Sequence, residues 1–533
     1  MTEVEKQAGE PTLKAAAGGL LRSSLVVSSL TMLSRVLGLV RDVVIAFFLG
    51  ATSNADCFFV AFKIPNFLRR LFAEGAFSQA FVPVLSEYRE KGSHAAVRAL
   101  LDRVAGALGG VLILVTALAV VGAPVITLLF APGFHGDPLK YGLTVEMIRI
   151  TFPYLMLISL TGFAGAILNS YGRFAIPALT PVLLNLCLIS AAVFFSPYFD
   201  EPAMALAWGV LMAGVVQFLF PLPFLQRLHL LPRPRWDWQD EGVKRILTLM
   251  IPALFGVSVS QINLLLDTVL ASFLPTGSIS WLYYSDRLME LPLGVFAVAI
   301  GTVILPSLSR HKAGSDQQAF ARTLDWGLRS VLLLALPAAA ALMVLAQPIL
   351  VTLFQYGELK ADDVGMSVYS LQAYSLGLVA FMLIKVLAPG FFARQDTRTP
   401  VKIGIIAMVA NMVLNLAFVL PLHHYYQLGH VGLALATSGS AWLNAMLLLR
   451  GLLQREAYSF QPGWGLFWLR ALVAVSAMVL LLVAGTLWLG DLSALTAWHR
   501  AWRLLMLCAA GAVVYGGVLV MMGVRLRDFR GLS

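Results

Sequence analysis

The stretch Ser34-Arg35-Val36-Leu37-Gly38-Leu39-Val40-Arg41-Asp42 puts two guanidiniums and a carboxylate inside an otherwise apolar run. About 20 apolar residues are enough for a helix to span a bilayer. A charge at mid-bilayer costs about 2.5–3.5 kcal/mol on insertion scales. Such residues survive by lining a polar cavity, by pairing, or both. The next apolar segment carries Asp56, Lys63, Arg69, Arg70 and Glu74, and a much later one carries Asp286, Arg287 and Glu290. Most of the basic members are arginine, whose planar fork matches phosphate and carboxylate. The pattern predicts a membrane protein with a buried, arginine-rich cavity for an anionic ligand.

Composition agrees. The chain is 59% hydrophobic and 12% charged, against about 25% charged in soluble domains, with mean hydropathy +0.82. Apolar stretches of spanning length recur along nearly all of it. This predicts an all-α polytopic fold of about fourteen transmembrane helices, the first at 23–49, the second at 54–87 and the eighth at 280–310. Gly38, Pro65, Pro83, Pro153 and Pro292 are candidate bend points. Residues 1–22 read as a polar tail rather than a cleavable signal. The formal charge of +10 does not imply nucleic-acid binding, because Lys and Arg concentrate in alternate loops, the positive-inside pattern. Lys140, Lys360 and Arg500 are exceptions to that bias. Both termini fall in the basic set and are expected to be cytoplasmic. The three cysteines, Cys57, Cys187 and Cys508, form no disulfide or metal motif.

The chain also repeats itself. Pro83-Val84-Leu85-Ser86 is echoed by Pro306-Ser307-Leu308-Ser309, Leu129 to Gly133 by Leu353 to Gly357, and Arg173 to Pro177 by Asp396 to Pro400, at an offset of 223 or 224 residues. Six helices fit within that offset, so the halves share one orientation. The expected architecture is two parallel six-helix bundles, 23–228 and 241–456, with a cavity between them. A helix pair at 465–523 lies outside the repeat, and 524–533 forms a short tail.

In the second helix, Asp56, Lys63 and Arg70 recur every seven residues, with Asn66 and Glu74 on the same stripe and Arg69 at its edge. Internal pairs such as Arg70 with Glu74 are the plain alternative. Arginine from three separate helices favours a shared cavity. In the first helix Arg35 and Asp42 share a face, while Arg41 points elsewhere unless Gly38 bends the helix. Arg287 and Glu290 are i,i+3 neighbours beside Asp286. A second constellation is Asp267, Asn411, Asn415 and Thr437, hard oxygens able to take a small cation or simply to bond between helices. His423, His424 and His430 read as one solvated outer loop, and Asp362-Asp363 as another. No nucleotide-binding, metalloprotease or hydrolase motif is present.

These segments resemble the MurJ/MviN family of lipid II flippases, in the multidrug/oligosaccharidyl-lipid/polysaccharide exporter superfamily. The matching strings are Ser34 to Gly38 with Arg41-Asp42, Asn66 to Phe81, Tyr283 to Glu290 and Ala388 to Asp396. The resemblance covers Val26 to the C-terminus and implies a MATE-like fold. It implies movement of lipid II, an undecaprenyl-diphosphate-linked peptidoglycan precursor, from the inner to the outer leaflet of the bacterial cytoplasmic membrane by alternating access. It carries over Arg35, Arg41, Asp56, Arg69, Glu74 and Arg287 as substrate-binding residues, and matches Ser34, Asn66 and Ser280 to polar cavity positions. Arg70, Lys63, Asp286 and Glu290 complete the candidate set. The helix pair at 465–523 would form a groove for the lipid tail. Some relatives bind Na+ where Asp267, Asn411, Asn415 and Thr437 stand. No other cofactor is implied, and Na+ or proton coupling are the open energy sources. Expected partners are lipid II, membrane lipids and the cell-wall synthesis machinery, with no nucleic acid. Two rivals are a flippase for another undecaprenyl-linked glycan and a membrane enzyme acting on polyprenyl diphosphates. The latter would show paired carboxylates or a nucleophile at a membrane face.

Overall fold

The computed structural model describes residues 3–313 and 316–524, with side chains throughout except at 3–25, 72–75, 252–253, 255–261, 264, 296–299, 301–303 and 311–313. Every regular element among them is helical. Ten helices among the described residues are long and apolar enough to cross a membrane. The expected fourteen is not reached by that measure. The other four long helical stretches carry the intrahelical charges or include residues outside the described set. The chain divides into two compact units, Met1–Leu49 with Cys57–Gln261, and Gly50–Asp56 with Ile262–Ser533.

The first unit holds α1 (Glu3–Leu49), most of α2 (Ser53–Arg69), α3 (Ser78–Lys91), α4 (His94–Val121), α5 (Ala123–Phe130), α6 (Pro138–Thr151), α7 (Pro153–Ser170), α8 (Ala175–Ser190), α9 (Pro202–Leu219) and α10 (Leu222–Arg227). The first helix begins at Glu3, well before the apolar run, and runs unbroken through Gly38. Between α2 and α3 the helix shifts to π register over Arg70–Phe77. Such bulges frequently mark functional segments. Pro138, Pro153 and Pro202 each sit at the first helical position, where a missing N–H does no harm. Ser93 and Asp137 cap α4 and α6 through their side chains. The core joins α3, α4 and α7. Phe77 stacks on Phe81 at 5.1 Å between centroids, and Phe81 meets Phe163 at 5.1 Å.

The second unit takes the C-terminal part of α11 (Glu241–Ala271), then α12 (Ser278–Pro292), α13 (Val298–Ala313), α14 (Gln317–Val344), α15 (Ala346–Phe354), α16 (Ala361–Phe392), α17 (Arg398–Tyr426), α18 (Gly429–Gln454), α19 (Trp464–Leu489) and α20 (Ala497–Met521). Pro292 closes α12 ahead of a π turn at Leu293–Ala297. The α19–α20 pair is fastened to α14 at both levels of contact. Leu333 packs with Ala471, Ala474 and Leu519, and the Tyr515 hydroxyl donates to the Leu333 carbonyl at 2.7 Å. Elsewhere the pair faces outward. Only 22% and 17% of their apolar windows are buried, leaving Leu472, Leu480, Leu487, Val513 and Val520 exposed, as suits a lipid-facing surface.

Two of the charge-bias exceptions are spent on packing. Lys140 is buried, its ammonium 5.1 Å from the Phe134 ring centre. Arg500 is also buried and donates to the carbonyls of Ser493, Leu495, Val351 and Gln355.

Candidate functional site

In the first unit the charges of α1 meet α8. Arg41 Nη2 and Nε donate to Asp42 Oδ1 at 2.6 and 2.9 Å, and Nη1 donates to Asn185 Oδ1 at 3.1 Å. The Asn185 amide in turn donates to the Ser34 carbonyl at 3.0 Å. Asp42 is fully buried and Arg41 is 7% exposed. Arg41 therefore points inward without any break at Gly38, because its long side chain folds back along the helix to its neighbour. Arg35, one turn and a half earlier, is half-buried and has no hydrogen-bond or ion-pair partner among the described residues.

The side chains of the α2 polar stripe lie at different depths. Lys63, Asn66 and Arg69 are half-buried and Arg70 is exposed. Arg69 Nε donates to Asn66 Oδ1 at 3.4 Å, and Asn66 donates to the Phe62 carbonyl at 3.2 Å. Arg70 has no partner among the described residues. It opens the π-helical stretch Arg70–Phe77. The Glu74 side chain lies outside the described residues.

Asp56 does something the side-chain pattern does not suggest. It is 1% exposed, and its carboxylate accepts the backbone N–H groups of Gly277 at 2.7 Å and Ser280 at 3.0 Å, plus the Ser280 hydroxyl at 2.7 Å. It thus caps the start of α12 from another part of the chain. A carboxylate suits the positive end of a helix, where N–H groups lack internal partners. Gly277 (φ +96°) makes room, since a Cβ there would fall 2.9 Å from the Ala51 carbonyl oxygen. Gly50 (φ +60°) is equally confined, 2.5 Å from the Glu358 carbonyl. Tyr284 completes the lock, its hydroxyl donating to the Gly50 carbonyl at 2.8 Å. Two turns into α12, Arg287 Nη1 donates to Glu290 Oε2 at 3.3 Å, both side chains partly open. Asp286 is half-buried beside them.

The second unit draws Asp267, Asn411, Asn415 and Thr437 together from α11, α17 and α18. Asp267 accepts from the Asn415 amide at 3.0 Å and from the Thr437 hydroxyl at 3.2 Å. Asn415 also donates to Asn411 Oδ1 at 2.8 Å, and Asn411 donates to Ser440 at 3.3 Å. The Asn415 carbonyl oxygen is buried and accepts no hydrogen bond among the described residues. Two expectations about outer loops are corrected. His430 opens α18 and is 1% exposed, its ring 4.8 Å from Trp281, because α18 begins inside the bundle. Asp363 lies in the first turn of α16, where it accepts from Lys360 N–H and Trp281 Nε1.

Sequence reasoning missed Asn185 and the Asp325 node. Asp325 accepts from the Tyr458 hydroxyl at 2.6 Å and Trp464 Nε1 at 2.8 Å, and pairs with Arg329 at 2.7 Å. A lone polar residue inside an apolar helix was the available signal for Asn185, and the i,i+4 spacing of Asp325 and Arg329 for the other.

The family profile described as "Lipid II flippase MurJ" matches residues 45–504. A Vibrio cholerae protein named "Probable lipid II flippase MurJ" is 51% identical over 96% of this chain and 98% of its own length. A Burkholderia cenocepacia protein named "Lipid II flippase MurJ" is 46% identical over 84% of this chain and 86% of its own. Among solved structures, one titled "Lipid II flippase MurJ, inward closed conformation" aligns over 95% of this chain and all of its own, with 26% identity and TM-score 0.76. A multidrug-resistance MATE transporter in an inward-facing conformation shares the fold over 81% of this chain, at 16% identity and TM-score 0.64.

Proposed function

The chain belongs to the MurJ family of lipid II flippases, and from that premise we propose how its own residues serve the translocation of lipid II. It is a multi-pass membrane transporter, not an enzyme. The diphosphate of the substrate is bound by Arg35, Arg69, Arg70 and Arg287, with Ser34, Asn66, Lys63, Asp286 and Glu290 supplying polar contacts to the headgroup. Arg41 has another task. Its guanidinium is committed to Asp42 and Asn185, so it holds α1 against α8 and fixes the segment that carries Arg35. Arg35 is the observation on which this rests: a half-buried guanidinium in an apolar helix with no partner among the described residues. A buried charge of that kind is tolerated when a ligand answers it.

Asp56 with Ser280 acts as a latch in this reading. Three charge-assisted hydrogen bonds hold the first turn of α2 to the start of α12, and in this reading the transport cycle releases and re-forms them. The outward apolar surface of α19–α20 carries the lipid tail. Both termini lie in the cytoplasm and the membrane is the bacterial inner membrane, as the basic loops support. Association with cell-wall synthesis enzymes follows from the substrate. A sodium ion would be held by oxygens of Asp267, Asn411, Asn415 and Thr437. The unanswered Asn415 oxygen and the hard donor set fit such an ion. Bound there, Na+ would couple the cycle to its gradient.

Depletion of the native flippase with complementation by Arg35→Ala and Arg35→Lys tests the arginine assignment. The Ala variant should insert normally yet leave lipid II on the inner leaflet, and the Lys variant should rescue in part, lacking the bidentate fork. Full complementation by Arg35→Ala sinks the assignment.

A further inference from the structure

The internal repeat lets two helix starts be compared position by position. Both α8 and α17 begin at matched residues, Ala175 and Arg398, and each has proline two residues later, Pro177 and Pro400. At α17 the anion is built in. The Asp396 carboxylate accepts the Thr399 N–H at 3.0 Å and pairs with Arg455, which also donates to the Thr399 hydroxyl at 2.7 Å. At α8 the residue matched to Asp396 is Arg173. Its first-turn N–H groups receive no side-chain cap.

Arg173 does not stand alone. With Arg227, the last residue of α10, it lines a cavity of about 440 Å³ that also takes in the α8 start. Neither guanidinium has a carboxylate partner among the described residues; that of Arg227 lies 5.7 Å from the Phe224 ring centre. The neighbouring Arg89 is already engaged, donating to the Ser170 carbonyl and covering the Tyr171 ring. Two arginines and an uncapped helix start thus converge on one space with no protein anion in it. The walls are apolar: Val26, Phe174, Ile176, Phe224 and Leu228. Depth completes the picture. Arg173 precedes the apolar span Ala175–Tyr198 by two residues, and Arg227 ends the span Pro202–Arg227. That is the level at which a bilayer presents its phosphates, and basic pockets between membrane helices bind lipid headgroups.

We propose that this pocket binds an anionic phospholipid, its phosphate standing where the Asp396 carboxylate stands at α17 and its acyl chain lying on the apolar walls. The lipid is a resident of the first unit rather than cargo, since neither Arg173 nor Arg227 belongs to the diphosphate site proposed above. The walls favour a lipid over a soluble phosphate.

Native mass spectrometry of the full-length, delipidated protein tests this, with phosphatidylglycerol and phosphatidylcholine added in turn. Wild type should retain one phosphatidylglycerol in preference to phosphatidylcholine. Removing one charge-assisted contact should weaken retention about tenfold, so Arg173→Gln/Arg227→Gln should lose it. Arg173→Asp should lose it as well while unfolding no earlier than wild type, because it supplies the missing carboxylate and a partner for Arg227. That second variant reads the site even if the double Gln variant folds poorly. Unchanged phosphatidylglycerol retention in Arg173→Asp overturns the proposal. So does equal retention of phosphatidylcholine, or displacement of the lipid by glycerol phosphate at matched concentration.

Discussion

Each unit of the molecule buries a polar knot between long apolar helices, and these two are built on different chemistry. In the first, the fully buried Asp42 is answered by Arg41 from the same turn, with Asn185 of α8 closing the set. In the second, Asp267 meets an amide and a hydroxyl, and the Asn415 oxygen is left over. The helix starts reverse the pattern. There the second unit carries its own anion, Asp396, and the first presents Arg173. Duplicated scaffolds keep backbone geometry more readily than they keep charge. Where one copy holds the countercharge covalently and the other does not, the second copy is the place to seek a ligand.

The largest effect should come from breaking the first knot. Arg41→Ala leaves Asp42 buried and without its guanidinium, a change that typically costs about 3–5 kcal/mol. The variant should unfold early in detergent and accumulate poorly in membranes. Replacing both partners together, as Arg41→Met/Asp42→Leu, should recover most of that loss, because an apolar pair needs no compensation. Recovered folding with recovered transport would confirm that Arg41 holds the helices. Recovered folding without transport would move Arg41 into the substrate site.

The second knot should respond to salt more than to mutation. Asp267→Asn disturbs bonds between an acid and neutral donors, so its direct cost should be modest. Its signature is the response to Na+. An ion that binds only the folded state at 100 times its Kd stabilises by about 2.7 kcal/mol. Wild type should therefore unfold later in sodium chloride than in choline chloride, and Asp267→Asn should show no difference. Equal unfolding of wild type in the two salts would reduce this knot to interhelical bonding, and the contrast between the units with it.

These partners were legible to different degrees. The second knot could be read ahead of the structure, because Asn411 and Asn415 are one turn apart and Asp267 is a lone carboxylate in an apolar helix. Asn185 gives Arg41 its partner across 144 residues, and nothing local announces such a pairing. Asp56 was legible as a buried carboxylate, but its partners are backbone N–H groups at a helix start, which have no side-chain signature. Regular helical spacing puts Arg70 on the α2 stripe, and the π turn that begins at this residue has no counterpart in that spacing. His430 stands at the border between loop and α18 in the sequence, where nothing local announces its burial against Trp281. The repeat, in contrast, is visible in three short strings at one offset, the last of which spans the starts of both α8 and α17.

The smallest effect should separate the two helix starts by pH. Burial works against the charge on Asp396, but the Thr399 hydroxyl and N–H and the Arg455 guanidinium outweigh it and hold the carboxyl at about 2. An unfolded aspartate titrates near 3.9. A depressed folded value means that the contribution is complete above about pH 4 and is lost as pH falls through 2. Asp396→Asn keeps a good helix cap and removes only the partly exposed ion pair, a loss of about 0.2–1 kcal/mol at neutral pH. The difference in unfolding midpoint between wild type and Asp396→Asn should therefore be small at pH 7, unchanged at pH 5 and clearly reduced, though not yet gone, near pH 2.5. Arg173→Gln, tested alongside in delipidated protein, should show a difference that stays flat over that range, because arginine does not titrate there. A gap for Asp396→Asn as large at pH 2.5 as at pH 7 would mean that the carboxylate is not the group holding the start of α17, and the charge reversal between the two starts would lose its physical basis.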